Sequence, residues 1–192
     1  MLIRQGAAVS ILLAAALVIP TGCAGSADPP AAETVPSGMR RYEAPPPRVP
    51  HVRVGTTVLA PAQYAWRIDG KYRQSTPPSD HSVPNTAVPS PTSRRMAFTV
   101  MTSVRPTQAK IIYYPNTAGP VPKGEGVFAD CETGKDCTMT QTTDQVTLVL
   151  DRPVEAPALV VLDLQYPTLE EADRTEGIAS YGASWVVRLD AP

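Results

Sequence analysis

The stretch Met96-Ala97-Phe98-Thr99-Val100-Met101-Thr102-Ser103-Val104 decides the fold. Met96, Phe98, Val100, Thr102 and Val104 take every second position, with Ala97, Thr99, Met101 and Ser103 between them. Side chains alternate across a strand and repeat at roughly 3.6 residues on a helix, so this run reads as a strand with one face on a core. Val146, Leu148 and Leu150 repeat the pattern. So do Val160, Leu162, Leu164 and Tyr166, and then Ala183, Trp185, Val187 and Leu189.

Extending the same reading gives strands at 52–59, 63–67, 71–74, 95–104, 109–114, 126–131, 137–140, 145–150, 158–166 and 180–189. Short strands separated by turn residues point to an all-β chain, an antiparallel β-sandwich of immunoglobulin-like architecture covering residues 51–192. At Asp69-Gly70 a two-residue turn would set Trp66 opposite Arg73. A three-residue loop, with Gly70 left-handed at its end, sets Trp66 opposite Tyr72, and the aromatic pair favours that register. One helix is expected, near 169–176. Thr168 and Glu171 have the spacing of a capping box, Glu170 and Arg174 lie one turn apart, and Gly177 is placed to end it.

The composition agrees. Twenty-two prolines against twelve glycines and two phenylalanines favour extended segments and breaks over long helices. Charged residues are 18% of the chain and the formal net charge is −1, which leaves no basic footprint for nucleic acid.

Ahead of the domain, Arg4 is followed by an apolar run from Gly6 to Ile19 and then by Pro20, Thr21, Gly22 and Cys23. Fourteen helical residues rise roughly 21 Å, short of the ~30 Å of a bilayer core, so the segment reads as an export leader rather than a span. Two small residues directly before a cysteine resemble the lipobox of bacterial lipoproteins. The position three before the cysteine holds Pro20 where the family carries an aliphatic residue. The resemblance implies a signal peptide at 1–22, removed in the mature protein, and diacylation of Cys23, which anchors the chain to the outer face of the cell membrane. It covers the leader alone. The Ala-, Pro-, Val- and Arg-rich composition is also similar to that of small lipoproteins of high-GC Gram-positive bacteria. Residues 23–50 follow as a spacer, with Pro29, Pro30, Pro36, Pro45, Pro46, Pro47 and Pro50 and almost no large apolar side chain. Such a segment is extended, at ~3.1 Å per residue, and has little to bury.

With Cys23 committed to lipid, Cys131 and Cys137 remain, and in an oxidising compartment they are expected to pair as a disulfide stapling a hairpin below Thr133-Gly134. Five intervening residues are not the CxxC of a redox enzyme. His51 and His81 fall outside the expected strands, and Asp80, His81 and the serines beside them are sequence neighbours rather than a triad, which geometry defines. The acidic run Glu170, Glu171, Asp173 and Glu176 would be spread around a helix instead of lining a calcium loop. No phosphate loop, GxSxG elbow, HExxH helix or dinucleotide fingerprint occurs. No catalytic residue, cofactor or metal site is expected.

The expected function is therefore that of a noncatalytic binding or scaffolding module, held on the membrane through Cys23 and facing an envelope protein or polymer. A small-ligand carrier or sensor is the alternative, and an envelope hydrolase is third. Tyr64, Tyr72, Tyr113, Tyr114 and Tyr181 are the aromatic candidates for a recognition face. The proline-rich stretch 76–92 is expected to be a long loop without structure of its own.

Overall fold

A computed structural model describes residues 43–76, 84–90, 95–168 and 171–190, with backbone alone at 171 and 172. These residues belong to one compact unit that begins at Arg40. Twelve strands occur among them: β1 Val52–Val54, β2 Thr57–Leu59, β3 Gln63–Ile68, β4 Lys71–Gln74, β5 Thr86–Val88, β6 Met96–Val100, β7 Gln108–Pro115, β8 Val127–Asp130, β9 Cys137–Gln141, β10 Val146–Leu150, β11 Ala158–Pro167 and β12 Ser180–Leu189. The one helix, α1 Glu171–Thr175, lies between β11 and β12. The strands form two sheets, one ordered β2-β1-β6-β10-β9 and the other β4-β3-β12-β11-β7-β8, with β5 added along β12. The chain is nearly all β and folds as the expected sandwich.

Alternation builds the interior. Met96, Phe98 and Val100 on β6 and Val146, Leu148 and Leu150 on β10 are fully buried from the smaller sheet. Val160, Leu162, Leu164 and Tyr166 on β11 meet them from the larger one, as do Trp185, Val187 and Leu189 on β12. Removing each such side chain from water contributes about 1.5–3 kcal/mol. β11 and β12 pair antiparallel over ten residues, Ala158 opposite Leu189 through Pro167 opposite Ser180, and form the middle of the larger sheet.

Four local expectations are corrected. Residues 52–59 are two strands, because Gly55 takes a φ of +57° and turns β1 back on β2, with Val54 opposite Thr57. At the second hairpin Asp69 and Gly70 both have positive φ, 51° and 73°, the backbone of a two-residue turn whose twist matches its strands. Trp66 therefore faces Arg73, and Tyr72 sits opposite Arg67. The aromatic pairing fails because Trp66 is in the core and Tyr72 projects into solvent. Within 76–92, residues 86–88 form β5, parallel to the end of β12. The run 95–104 keeps its ladder only through Val100. Met101 is exposed, although its amide still donates to the His51 carbonyl at 2.8 Å.

Cys131 and Cys137 do form a disulfide, with their Cα atoms 4.6 Å apart. They do not staple a hairpin. β8 pairs with β7 in the larger sheet and β9 with β10 in the smaller, so the bond closes a corner where the chain passes between sheets. The Asp130 carboxylate accepts the Glu132 amide at 2.8 Å, and Gly134 and Asp136 supply the positive φ of the corner.

Candidate functional site

β3 alternates like its neighbours, so Trp66 points inward and Arg67 does not. The guanidinium meets three partners. Its Nε donates to Asp173 Oδ1 at 2.8 Å, one terminal nitrogen donates to the Gly70 carbonyl at 2.8 Å, and the other lies 3.1 Å from Glu176 Oε2 and also contacts Asp173. These acids are delivered by α1 and its exit. Gly177, at φ +75°, reverses the chain so that its amide reaches the Arg174 carbonyl and the Ile178 amide reaches that of Asp173. That is the two-bond Schellman ending of a helix, and it fixes Asp173 facing inward and lets Ile178 pack on the core. The Thr168 hydroxyl donates to the Ile178 carbonyl at 3.0 Å, tying the end of β11 to the same return.

Asp173 has no exposed surface. Its second oxygen accepts the Tyr181 hydroxyl of β12 at 2.5 Å. A fully desolvated carboxylate needs such partners, since burying it unpaired would cost several kcal/mol. The paired acids hold Arg67 well above its ordinary range, chiefly through the Asp173 hydrogen bond. Burial, helped by the bond to Asp173, pushes the Tyr181 hydroxyl up to about 12. The Tyr181 ring stacks on Trp66 at 5.6 Å and 28°, and Tyr166 meets Trp66 edge-on at 5.5 Å and 71°. Burial raises the Tyr166 hydroxyl too.

The end of the proline-rich stretch closes over this cluster. The Trp66 indole donates to the Pro46 carbonyl at 3.0 Å, Pro46 and Pro50 are buried, and Val49 packs on the core. Residues 43–50 thus belong to the packed unit rather than to a free spacer. Between this strap and the polar cluster lies a half-open cleft of about 560 Å³. Pro45, Pro46 and Pro47 line one side, Asp69 and Gly70 part of the other, and Arg67, Asp173 and Tyr181 also border it.

No family model, curated protein or solved structure matches this chain. The cleft's chemistry must therefore be read from its own atoms. Both oxygens of Asp173 and three nitrogens of Arg67 are engaged with neighbours, so this border is a closed polar network. What is left to an incoming group is the shape of the cleft, the prolyl rings and the rim residues Arg48 and Asp69.

The residues singled out in the sequence are scattered. Cys23, the leader at 1–22 and His81 with its neighbours lie outside the described residues, as does Glu170 of the acidic run. His51 is exposed at the start of the domain. Of the five tyrosines, Tyr72 alone is exposed. Tyr113 and Tyr181 are buried, and Tyr64 and Tyr114 are half-buried. Among the described residues the most exposed aromatic is Phe128, at 66%. On the outer side of the larger sheet it stands in register with Ile112, Val161 and Val186. Leu159, Ala62 and Val186 form a small second core there, with Tyr114 and Val161 packed on it. Beyond it, Asp163 faces Lys110 and borders a shallow hollow of about 200 Å³.

Sequence reasoning missed Arg67, Asp173 and the strap as one unit. The available signal was a lone cation next to Trp66 in a strand otherwise free of charge, Gln63-Tyr64-Ala65-Trp66-Arg67-Ile68.

Proposed function

We propose that this chain is a lipoprotein held through Cys23 on the outer face of a cell membrane, where its β-sandwich acts as a noncatalytic binding module for an envelope protein or polymer. The leader and its cysteine support the anchor, and two acyl chains, at ~0.8 kcal/mol per buried methylene, would make it lasting. The observation that carries the binding reading is the closed network bordering the cleft. Arg67, Asp173, Tyr181 and Glu176 satisfy one another, which rigidifies a recognition surface and keeps their polar groups engaged internally. A small-ligand carrier is the second reading, favoured by a cleft volume inside the usual range of ligand sites, roughly 300–1,000 Å³.

Two measurements test this. In fractionated cells, the wild-type chain should sediment with membranes and the Cys23→Ser variant should be released; retention of the variant would refute the anchor. A photo-crosslinking residue at exposed Asp69, on the cleft rim, should give a discrete envelope adduct that the same residue at Thr140, on an edge of the smaller sheet, does not. Identical labelling from both positions would refute the cleft as the binding surface.

A further inference from the structure

Pro45, Pro46 and Pro47 each lack an amide hydrogen and fix φ near −65°, so this strap cannot join a sheet and is preset for the polyproline II form. Such a segment offers a partner two things, its carbonyls and its ring faces. Domains that bind proline-rich peptides meet both with an aromatic platform. Trp66 supplies the donor for the carbonyl here, with two more aromatic rings beside it. Its indole N–H reaches the Pro46 carbonyl, and Tyr181 and Tyr166 pack beside its ring.

We propose that the Trp66–Tyr166–Tyr181 platform is a recognition site for proline-rich polypeptide, held shut in cis by the chain's own strap. The inference rests on the binding-module reading and names its partner class. The bond from Trp66 goes to a backbone carbonyl, and the residue that carries it is a buried proline, so nothing in the contact is peculiar to residues 45–47. Another polyproline segment presents the same groups. Among the described residues the Trp66–Pro46 bond is the one hydrogen bond recorded between strap and sandwich. Val49 and Pro50 are anchored separately in the core, with exposed Arg48 between them and the prolines, so the strap can lift at Arg48 while β1 stays in place. The cleft of about 560 Å³ runs beside the strap and is bordered by Tyr181 of the platform, so a longer chain following the strap's path has room on that side. Attachment in cis gives the strap a millimolar effective concentration, so a partner in trans binds weakly until the strap is loosened.

The test uses the full mature chain, a variant carrying Pro45→Gly, Pro46→Gly and Pro47→Gly, and a synthetic peptide with the sequence of residues 43–50, followed by calorimetry and tryptophan fluorescence. The peptide should bind the variant saturably and at least tenfold more tightly than it binds wild type. Adding Trp66→Phe, which keeps a ring and removes the N–H, should weaken binding to the variant at least tenfold, and a peptide with its prolines replaced by glycine should not bind. Equal affinity for wild type and variant, no saturable binding, or binding indifferent to Trp66→Phe overturns the proposal. Dimers of the variant that the peptide fails to dissociate would give the platform to a second copy and overturn it as well. If the triple variant does not melt cooperatively, Pro45→Gly alone, at a half-exposed ring, is read by the same criteria. Should the peptide fail while the adduct at Asp69 persists, the partner class is wrong and the binding module stands.

Discussion

Two corners of the sandwich are closed by different means. At one, Cys131 and Cys137 join β8 to β9 covalently across six positions of sequence. At the other, Arg67 reaches Asp173 and Glu176, 106 and 109 residues away, and Trp66 reaches Pro46 across 20. The first corner is built from local sequence and offers a partner little, since both cysteines are buried. The second is assembled from β3, α1, β12 and the strap, and a cleft remains between its parts. A covalent staple can close a corner completely. A polar network must be solvated or satisfied atom by atom, and the strap that completes this one does not fill the space beside it.

The comparison is broken most severely at Trp66. Trp66→Ala removes the ring that holds Tyr166, Tyr181 and the strap together, and it should cost about 3–5 kcal/mol in urea unfolding. A loss under 1 kcal/mol would mean that the strap corner is ornamental. Replacing the other corner's bond through Cys131→Ser with Cys137→Ser should cost about 2 kcal/mol, the loop-closure entropy of so small a ring. The peptide site should be untouched by that double variant, because the disulfide shares no residue with the cleft. Altered crosslinking at Asp69 would show instead that the two corners are coupled.

Sequence made the first corner legible and hid the second for a physical reason. Period-two alternation is local, so β12 and β4 fall where the pattern placed them, and β11 extends its expected span by one residue. Two cysteines six positions apart suggest their own pairing, but not the sheets they will join. The 69–70 turn was open to two registers because pairing Trp66 with Tyr72 rewards a contact that burial of Trp66 on the other face forbids. β5 was hidden among prolines, since a three-residue parallel strand needs only a free edge on β12, which is a tertiary fact. Asp173 read as one of several helical acids, and nothing nearby in sequence names Arg67 as its partner.

Tyr181→Phe sharpens the comparison without dismantling the corner. It removes one hydrogen bond to a buried carboxylate, at about 1–2 kcal/mol, while the stack on Trp66 survives. It should also change the alkaline limb of stability. The Tyr181 hydroxyl is raised from 10.0 to about 12 in the folded chain, so its contribution is complete below pH 10 and lost as pH rises toward 12. Thermal melts of wild type should fall across that window more steeply than those of Tyr181→Phe, and parallel curves would refute the assignment.

The smallest effect comes from the carboxylate that no arginine clamps. Asp163 lies on the same larger sheet as the Arg67 network, but burial raises its pKa while facing Lys110 and the Gln165 hydrogen bond only partly oppose this. A raised carboxyl favours the folded state below its ordinary value of 3.8 and loses that contribution as pH climbs through the raised value. At neutral pH Asp163 is therefore a net cost, whereas Asp173, though fully buried where Asp163 is half-buried, has its charge met by Arg67 and Tyr181. Asp163→Asn should consequently melt higher than wild type at pH 7, with the gap closing as pH approaches 4. Asp173→Asn should melt lower at pH 7, because it leaves Arg67 without its principal partner. If both variants shift in the same direction, the difference between a clamped and an unclamped acid does not govern this sheet.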